Sequence, residues 1–379
     1  MLAIVAAVPL VIWIYLLLAR GRFWLVSTRL DSNPEFNPNP QRVIAIIPAR
    51  NEAATIGPTL QSLLQQTTGL VRIIVVDDES SDATPDVVRR IADSHGSDQV
   101  DLIHGAPLPS GWTGKLWALS QGVAKANKEA PDYLLFTDGD ILHSPDSVRS
   151  LLSIAESGRY ALVSYMARLA CSTFAEKALI PAFVFFFFKL YPPAWIRSTR
   201  FRTAGAAGGC ILIRRDVLLK IGGLAAIRDA VIDDCALARR VKQSGNSLWM
   251  NVTDEVISTR SYGSFAEIGR MISGSAYAQL KHSPMLLTLS LIGMSFTYLT
   301  PPLLLFSGNR PAAILGVAAW LVMAAAYWPM VRFYWGSWMW SFALPAIALF
   351  YMGAMCHSAL QYWLRRGGVW KGRIQDARS

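Results

Sequence analysis

Tyr133-Leu134-Leu135-Phe136-Thr137-Asp138-Gly139-Asp140 decides how this chain is read. An apolar run that ends in two carboxylates separated by one glycine is a strand with hard oxygen donors at its carboxyl end, the edge where α/β folds bind ligands. Such an end can hold a divalent cation and, with it, a diphosphate. The competing reading is a plain surface turn, since Asp and Gly are turn residues. The neighbouring segments choose between the two.

Upstream, Val43-Ile44-Ala45-Ile46-Ile47-Pro48 is a β-branched run of the kind buried on both faces of a sheet. Ala49-Arg50-Asn51-Glu52 follows, then helical spacing through Ile56, Leu60, Leu63 and Leu64. A second strand, Val71 to Val76, ends in Asp77-Asp78-Glu79-Ser80-Ser81-Asp82 ahead of a helix through Val87, Val88 and Ile91. The third βα unit ends in Asp138-Gly139-Asp140. This alternation predicts an α/β fold, a mostly parallel sheet flanked by helices. Acidic clusters at successive strand ends are costly to leave unpaired, which favours a ligand. The alternative is that Asp78 or Ser80 caps the next helix.

The chain has 379 residues, 53% hydrophobic and 16% charged, with a formal net charge of +10. That is too apolar for an ordinary soluble enzyme. The apolar residues gather at the two ends, and the middle has the polarity of a globular domain. Leu2 to Leu18, followed by Arg20 and Arg22, reads as an uncleaved anchor; a secretory signal would need a basic start and a small-x-small cleavage site. Arg20, Arg22 and Arg29 put the following domain in the cytoplasm by the positive-inside rule. Met285–Phe306, Ala312–Val331 and Trp338–Trp363 are each long enough to span a bilayer. Three spans after a cytoplasmic domain would leave the basic tail, Arg365, Arg366, Lys371 and Arg373, outside, so charge and parity disagree; Pro301-Pro302 marks a candidate break. Ala178–Trp195, with Phe185 to Phe188, is too short for a convincing span. It reads either as a helix on the membrane surface or as one buried beneath the C-terminal spans.

Asp31 to Gln41, with its Asn-Pro pairs, reads as a hinge. The four cysteines, Cys171, Cys210, Cys235 and Cys356, are too widely spaced for a metal or redox pair and fit a reducing compartment. No aromatic-basic pattern suggests nucleic acid as a partner.

Ile47-Pro48-Ala49-Arg50-Asn51-Glu52, Val76 to Asp82, Gly114-Lys115-Leu116-Trp117-Ala118-Leu119, Asp138-Gly139-Asp140 and Asp233-Asp234 occur in the order and spacing of family 2 glycosyltransferases, which the chain resembles over about residues 40–270. Pro109 to Lys115, Leu179 to Phe183 and Gly208-Gly209-Cys210 are similar to the hopene-associated subgroup, which implies a bacterial hopanoid or related lipid pathway.

The resemblance implies a GT-A-like fold, a UDP-linked nucleotide-sugar donor and a divalent cofactor, Mg2+ or Mn2+. It assigns Pro48, Ala49 and Glu52 to the nucleoside, with Asp78 on base and ribose and Asp77 beside it. Asp138 goes to the ribose or sugar and the metal, and Asp140 to the metal. Asp234 is the general base, with Asp233 as its acidic partner. Lys115 opens a helix and either faces the phosphates or is an exposed lysine. His143 either assists or is structural. Adjacent helical residues point about 100° apart, so one of Asp233 and Asp234 is expected to face the sugar and the other to cap the turn. Gly208-Gly209 suits close backbone approach on the acceptor side or a tight turn.

The Gln-x-x-Arg-Trp of polymerising members is absent, so one sugar is expected per acceptor; Arg270 is the nearest phosphate-contact candidate. The expected organisation is a transmembrane anchor at 1–20, a cytoplasmic glycosyltransferase domain at 40–282, transmembrane helices at 283–363 and a basic tail at 364–379, in a bacterial inner membrane. The expected partners are the donor, a lipid acceptor and the membrane. Two other readings stay open: transfer to polyprenyl phosphate, and a non-catalytic membrane scaffold that keeps the fold.

Overall fold

The first β-branched run forms a strand, β1 (Val43–Ala49), buried along its whole length, as a central strand covered on both faces must be. In chain order the sheet continues with β2 (Leu70–Asp77), β3 (Val100–His104), β4 (Tyr133–Thr137), β5 (Ile141–His143), β6 (Leu162–Arg168), β7 (Cys210–Arg214) and β8 (Leu248–Ser258). The computed structural model describes residues 2–26, 41–94, 99–364, 369–370 and 373–374. Arg29, residues 31–40 of the expected hinge and the side chains of the basic tail lie outside them.

The eight strands run in the order β3-β2-β1-β4-β7-β6-β8-β5. The half that carries the motifs, β3-β2-β1-β4, is parallel throughout. β7 is antiparallel to both neighbours, β8 is parallel to β6, and β5 is antiparallel to β8. β3 is not anticipated by the sequence reading, because Val100-Asp101-Leu102-Ile103-His104 is a short, half-polar edge strand.

The topology opens a crevice between β1 and β4. From β1 the chain proceeds to one side, into β2 and β3, and then returns to the other side as β4, which makes this the switch point where open α/β sheets bind ligands. The β1–β2 ladder runs on to Ala49 opposite Asp77, whereas the β1–β4 ladder stops at Ile46 opposite Phe136. Pro48 therefore lies beyond the last rung to β4, where its missing N–H breaks no bond on that side.

Helix Gly114–Ala126 covers β1 and β2 through a glycine. A Cβ at Gly122 would lie 2.3 Å from Ile46 Cγ2 and 3.2 Å from Val76 Cγ2. Gly122→Ala is expected to destabilise by about 1–3 kcal/mol through overpacking, more than the roughly 1 kcal/mol gained in helix propensity. A fall in the thermal midpoint of the detergent-purified protein checks this; a rise would contradict the packing.

The described residues form two compact units. One is the sheet domain, residues 41–170 and 195–260 with 369–370 and 373–374, and the other is helical, residues 2–26, 171–194 and 261–364. The helical unit begins with helix Leu2–Ala19. Pro284–Phe306, Arg310–Phe333 and Trp338–Trp363 are long and apolar enough to cross a membrane, as the sequence predicts. Pro301-Pro302 does not make a hairpin: the backbone passes through a π-helical turn, Ser295–Leu299, and stays helical. A widened turn absorbs the loss of two proline donors without ending the helix.

Phe174–Arg197 also meets the length and hydropathy of a span, longer than the sequence reading allowed. Of the two readings of this segment the buried one fits better than the surface one, because Phe185 and Phe188 are fully buried. Phe185 packs on Phe23 at 5.2 Å and on Tyr327 at 5.0 Å, and Phe186 packs on Tyr351 at 4.7 Å. Glu176 fixes the start of this helix. Its carboxylate accepts the N–H groups of Ser172, Thr173 and Tyr262 and the Ser261 hydroxyl, while Thr173 caps the Glu176 N–H.

Candidate active site

Two loops close the carboxyl ends of β1 and β2 into one cradle. The Asn51 N–H donates to Ser80 Oγ at 3.0 Å, the Ser81 N–H to Asn51 Oδ1 at 2.8 Å, and the Glu52 N–H to Thr84 Oγ1 at 2.8 Å. Arg50 reaches across to the carbonyls of Asp78 and Glu79. Asn51 and Glu79 pay for this closure with left-handed backbone, φ +52° and +53°. Asp77 and Asp78 are buried at the base, 5% and 1% exposed, and Asp78 lies 3.8 Å from the Arg50 guanidinium. Neither Asp78 nor Ser80 caps the following helix. Asp82 does so, accepting the Thr84 N–H at 3.0 Å and the Ala53 N–H at 3.1 Å. The capping explanation for the acids at the end of β2 therefore fails.

Across the crevice, one ammonium gathers the remaining carboxylates. Lys115, the second residue of its helix, lies 2.8 Å from Asp138 and 3.8 Å from Asp233 and is only 15% exposed. Burial opposes its charge, but Asp138 and Asp233, with Asp234 nearby, outweigh that and hold the ammonium well above the ordinary lysine range. The reading of Lys115 as a plain exposed lysine is corrected accordingly.

Asp234 is clamped by backbone. The Gly208 N–H donates to its Oδ2 at 2.9 Å and the Cys235 N–H to its Oδ1 at 2.6 Å. Burial and the charge of Asp233 push its pKa up to about 7, against the pull of Lys115 and of the two N–H donors. Asp233 and Asp234 begin helix Asp233–Gln243 without either side chain closing the cap at Ile232, so both line the cleft. Asp234 both lines the cleft and accepts the first-turn Cys235 N–H, so the two tasks that the sequence reading divided between the pair fall together on one of them.

Gly208 reaches the site because β7 runs antiparallel to β4, with Cys210 opposite Thr137. A Cβ on Gly208 would be 3.2 Å from Lys115 Nζ and 3.4 Å from Asp234 Oδ2. The glycine therefore serves close approach as well as the turn. The cavity left between Pro48, Lys115, Asp138, Gly208, Asp233 and Asp234 is about 10 Å³, so the side chains nearly fill the cleft.

Asp138-Gly139-Asp140 bridges this cleft to the cradle. A Cβ on Gly139 would fall 1.9 Å from Glu52 Oε2, so only glycine lets the Glu52 carboxylate lie against the turn. The Asp140 carbonyl accepts the Thr259 N–H at 2.8 Å and hydroxyl at 3.0 Å, and Ser258 Oγ is 3.5 Å from Asp140 Oδ2. Ser258 and Thr259 escape the sequence reading, since nothing in a strand end signals which loop it meets. His143 is structural: buried, it bonds Thr137 Oγ1 at 2.9 Å and Ser147 Oγ at 3.2 Å, and burial lowers its pKa to about 4, leaving it neutral.

Among the described residues, no group of three or more His, Cys, Asp or Glu side chains is arranged to hold a metal ion. Magnesium-like ions are commonly bound by one or two carboxylates and completed by substrate phosphates. Partly exposed Asp138 and Asp140 fit an ion shared with a diphosphate, not a cage built from protein alone. Arg270 lies on helix Phe265–Gln279 of the helical unit, whereas all the other predicted site residues belong to the sheet domain.

The model of the Glycosyl transferase family 2 matches residues 44–222, which contain both strand-end acidic motifs, Lys115 and Gly208. A curated relative, 4,4'-diaponeurosporenoate glycosyltransferase of Staphylococcus aureus (strain bovine RF122 / ET3-1), is 36% identical over 118 residues, 31% of this chain and 29% of the relative. The chain thus spans under a third of that relative's length. The same enzyme of strain USA300 matches with the same identity and coverage. Among solved structures, a mannosyltransferase, PcManGT from Pyrobaculum calidifontis, in complex with GDP-Man and Mn2+, is similar with a TM-score of 0.60 and 19% identity, covering 95% of this chain and 99% of that one.

These relatives are named for a carotenoid acid, so the hopene-associated subgroup is corrected to the broader family. Of the three words that suggested the subgroup, Pro109 to Lys115 and Gly208 to Cys210 lead to the carboxylate cleft, whereas Leu179 to Phe183 lies on helix Phe174–Leu190 of the helical unit. Residues 44–222 thus match the Glycosyl transferase family 2 model, and the sheet they build has a GT-A-like α/β fold.

Proposed function

We propose that this chain is a membrane-bound, inverting glycosyltransferase that moves one sugar from a nucleoside-diphosphate sugar, UDP-linked, to a lipid acceptor. The carrying observation is the cluster of Lys115 with Asp138, Asp233 and Asp234 at the sheet's switch point. In this reading Pro48, Ala49, Glu52, Asp77 and Asp78 hold the nucleoside, and Asp138 contacts the ribose or sugar. Lys115 exchanges its carboxylate partners for the donor phosphates, which opens the filled cleft. Asp234 takes the acceptor hydroxyl's proton from the face opposite the leaving diphosphate, so the anomeric centre inverts. A divalent ion, Mg2+ or Mn2+, held by Asp140 with Asp138, would neutralise the leaving group.

The lipid acceptor is supported by the helices apolar enough to cross a membrane and by the relatives' carotenoid-acid name. The cytoplasmic face of a bacterial inner membrane is supported by Arg20 and Arg22 beside the first helix.

Calorimetric titration of the full-length protein with UDP- and GDP-sugars, each with and without Mn2+, tests the donor half. Metal-dependent binding of one donor class is expected, weakened in Asp140→Asn. Absence of binding by every donor would return the chain to the scaffold reading. An acid-labile sugar phosphate as product would move the acceptor to a polyprenyl phosphate.

A further inference from the structure

One lysine of the sheet domain holds a loop by its backbone. Lys242, near the end of helix Asp233–Gln243, donates to the carbonyls of Trp195 at 3.1 Å, Ile196 at 2.7 Å, Ser198 at 3.0 Å and Thr203 at 2.8 Å. Four acceptors share three N–H bonds, so the ammonium is fully committed to this loop. Both ends of the loop are drawn to one point, although residues 198–207 contain no helix or strand. Inside it Phe201 stacks on Trp195, with 4.7 Å between ring centres and 11° between planes.

The tip held in this way is basic, aromatic and exposed. Phe201 stays 41% exposed despite the stack. Arg200 and Arg202, on either side of it, are exposed, and neither side chain has a partner among the described residues. From Tyr191 to Ile213 the chain contains no Asp or Glu, so no neighbouring acid in the sequence offsets these charges. A single exposed ring is ordinary, but a ring fixed between two unpaired guanidinium groups matches a surface that is apolar below and anionic above. The loop also begins where Phe174–Arg197 ends, a helix with the length and hydropathy of a span. Arg200 is three residues past Arg197, at most about 10 Å of extended chain. Aromatic rings collect at the lipid–water boundary, and arginines close to a membrane helix meet the phosphates of anionic lipids.

We propose that the tip Arg200-Phe201-Arg202 docks on the anionic headgroup layer of the membrane, with both guanidinium groups on lipid phosphates and the Phe201 ring at the boundary. The proposal rests on the membrane reading of the apolar helices and not on sugar transfer, so it stands or falls separately from the activity. Hydrogen exchange of the full-length protein in nanodiscs of phosphatidylglycerol or of phosphatidylcholine tests it, read on the peptide that covers residues 198–203. In the wild type this peptide should exchange up to about 25-fold more slowly in phosphatidylglycerol, at about fivefold for each arginine. Arg200→Gln and Arg202→Gln should each cut the difference to about fivefold, and the double variant should abolish it. Replacement of both by lysine should keep most of it, and salt at about 1 M should remove it. Peptides from the Lys115 helix should exchange alike in the two lipids. Equal exchange of the 198–203 peptide in both lipids, a difference that survives in the double glutamine variant, or a parallel slowing of the Lys115 helix would overturn the assignment.

Discussion

Asp234→Asn is expected to lower kcat by about 10²–10⁴-fold, the range for a positioned general base, while donor affinity stays within about twofold. Asparagine keeps the shape, but its single oxygen can replace only one of the two carboxylate oxygens that accept the Gly208 and Cys235 N–H groups, so an unchanged thermal midpoint and unchanged donor affinity are needed to assign the loss to proton removal. The raised pKa adds a second signature. A base must be deprotonated to act, so kcat/KM should climb with pH to an inflection near 7, the value to which burial and the Asp233 charge push Asp234, and then level off. An acidic limb near the ordinary aspartate value of about 4 would contradict this environment.

Lys115→Met carries the second large effect. Its removal leaves Asp138, Asp233 and Asp234 crowded in one cleft with no cation among them. Breaking a buried pair from one side typically costs about 3–5 kcal/mol, and a lower thermal midpoint without donor is expected. Donor affinity should fall as well. The pH profile separates this from mere unfolding: without the ammonium that pulls Asp234 down, the acidic limb of the residual activity moves to higher pH. Lys115→Arg is expected to fail too, because the Lys115 ammonium is already only 3.2 Å from where a Cβ on Gly208 would stand, and the wider guanidinium has no room.

Much of this site was legible in the sequence because strand ends announce themselves. The runs before Asp77 and Asp138 have one reading, a buried parallel strand, and the acids that follow must then lie at one edge of the sheet. What could not be read was set by contacts distant in sequence. The pairing of Lys115 with Asp138, the clamp of Gly208 on Asp234 and the approach of Thr259 to Asp140 depend on the order in which the strands pair. The Phe185 to Phe188 segment kept two readings, surface or buried, for the same reason, since a run of four phenylalanines is apolar on all sides and gives no face. The acceptor was illegible because two of the three subgroup words lead to the donor cleft, and the subgroup drawn from them did not hold.

Incubation of the full-length protein in lipid nanodiscs with radiolabelled nucleotide sugars and Mn2+, followed by counting of the lipid extract, tests the central claim most directly. The account predicts label in the lipid fraction from one donor class, carried on a single sugar and lost in Asp234→Asn. Label in a long polymer, label that persists undiminished in Asp234→Asn, or no label from any donor would contradict it.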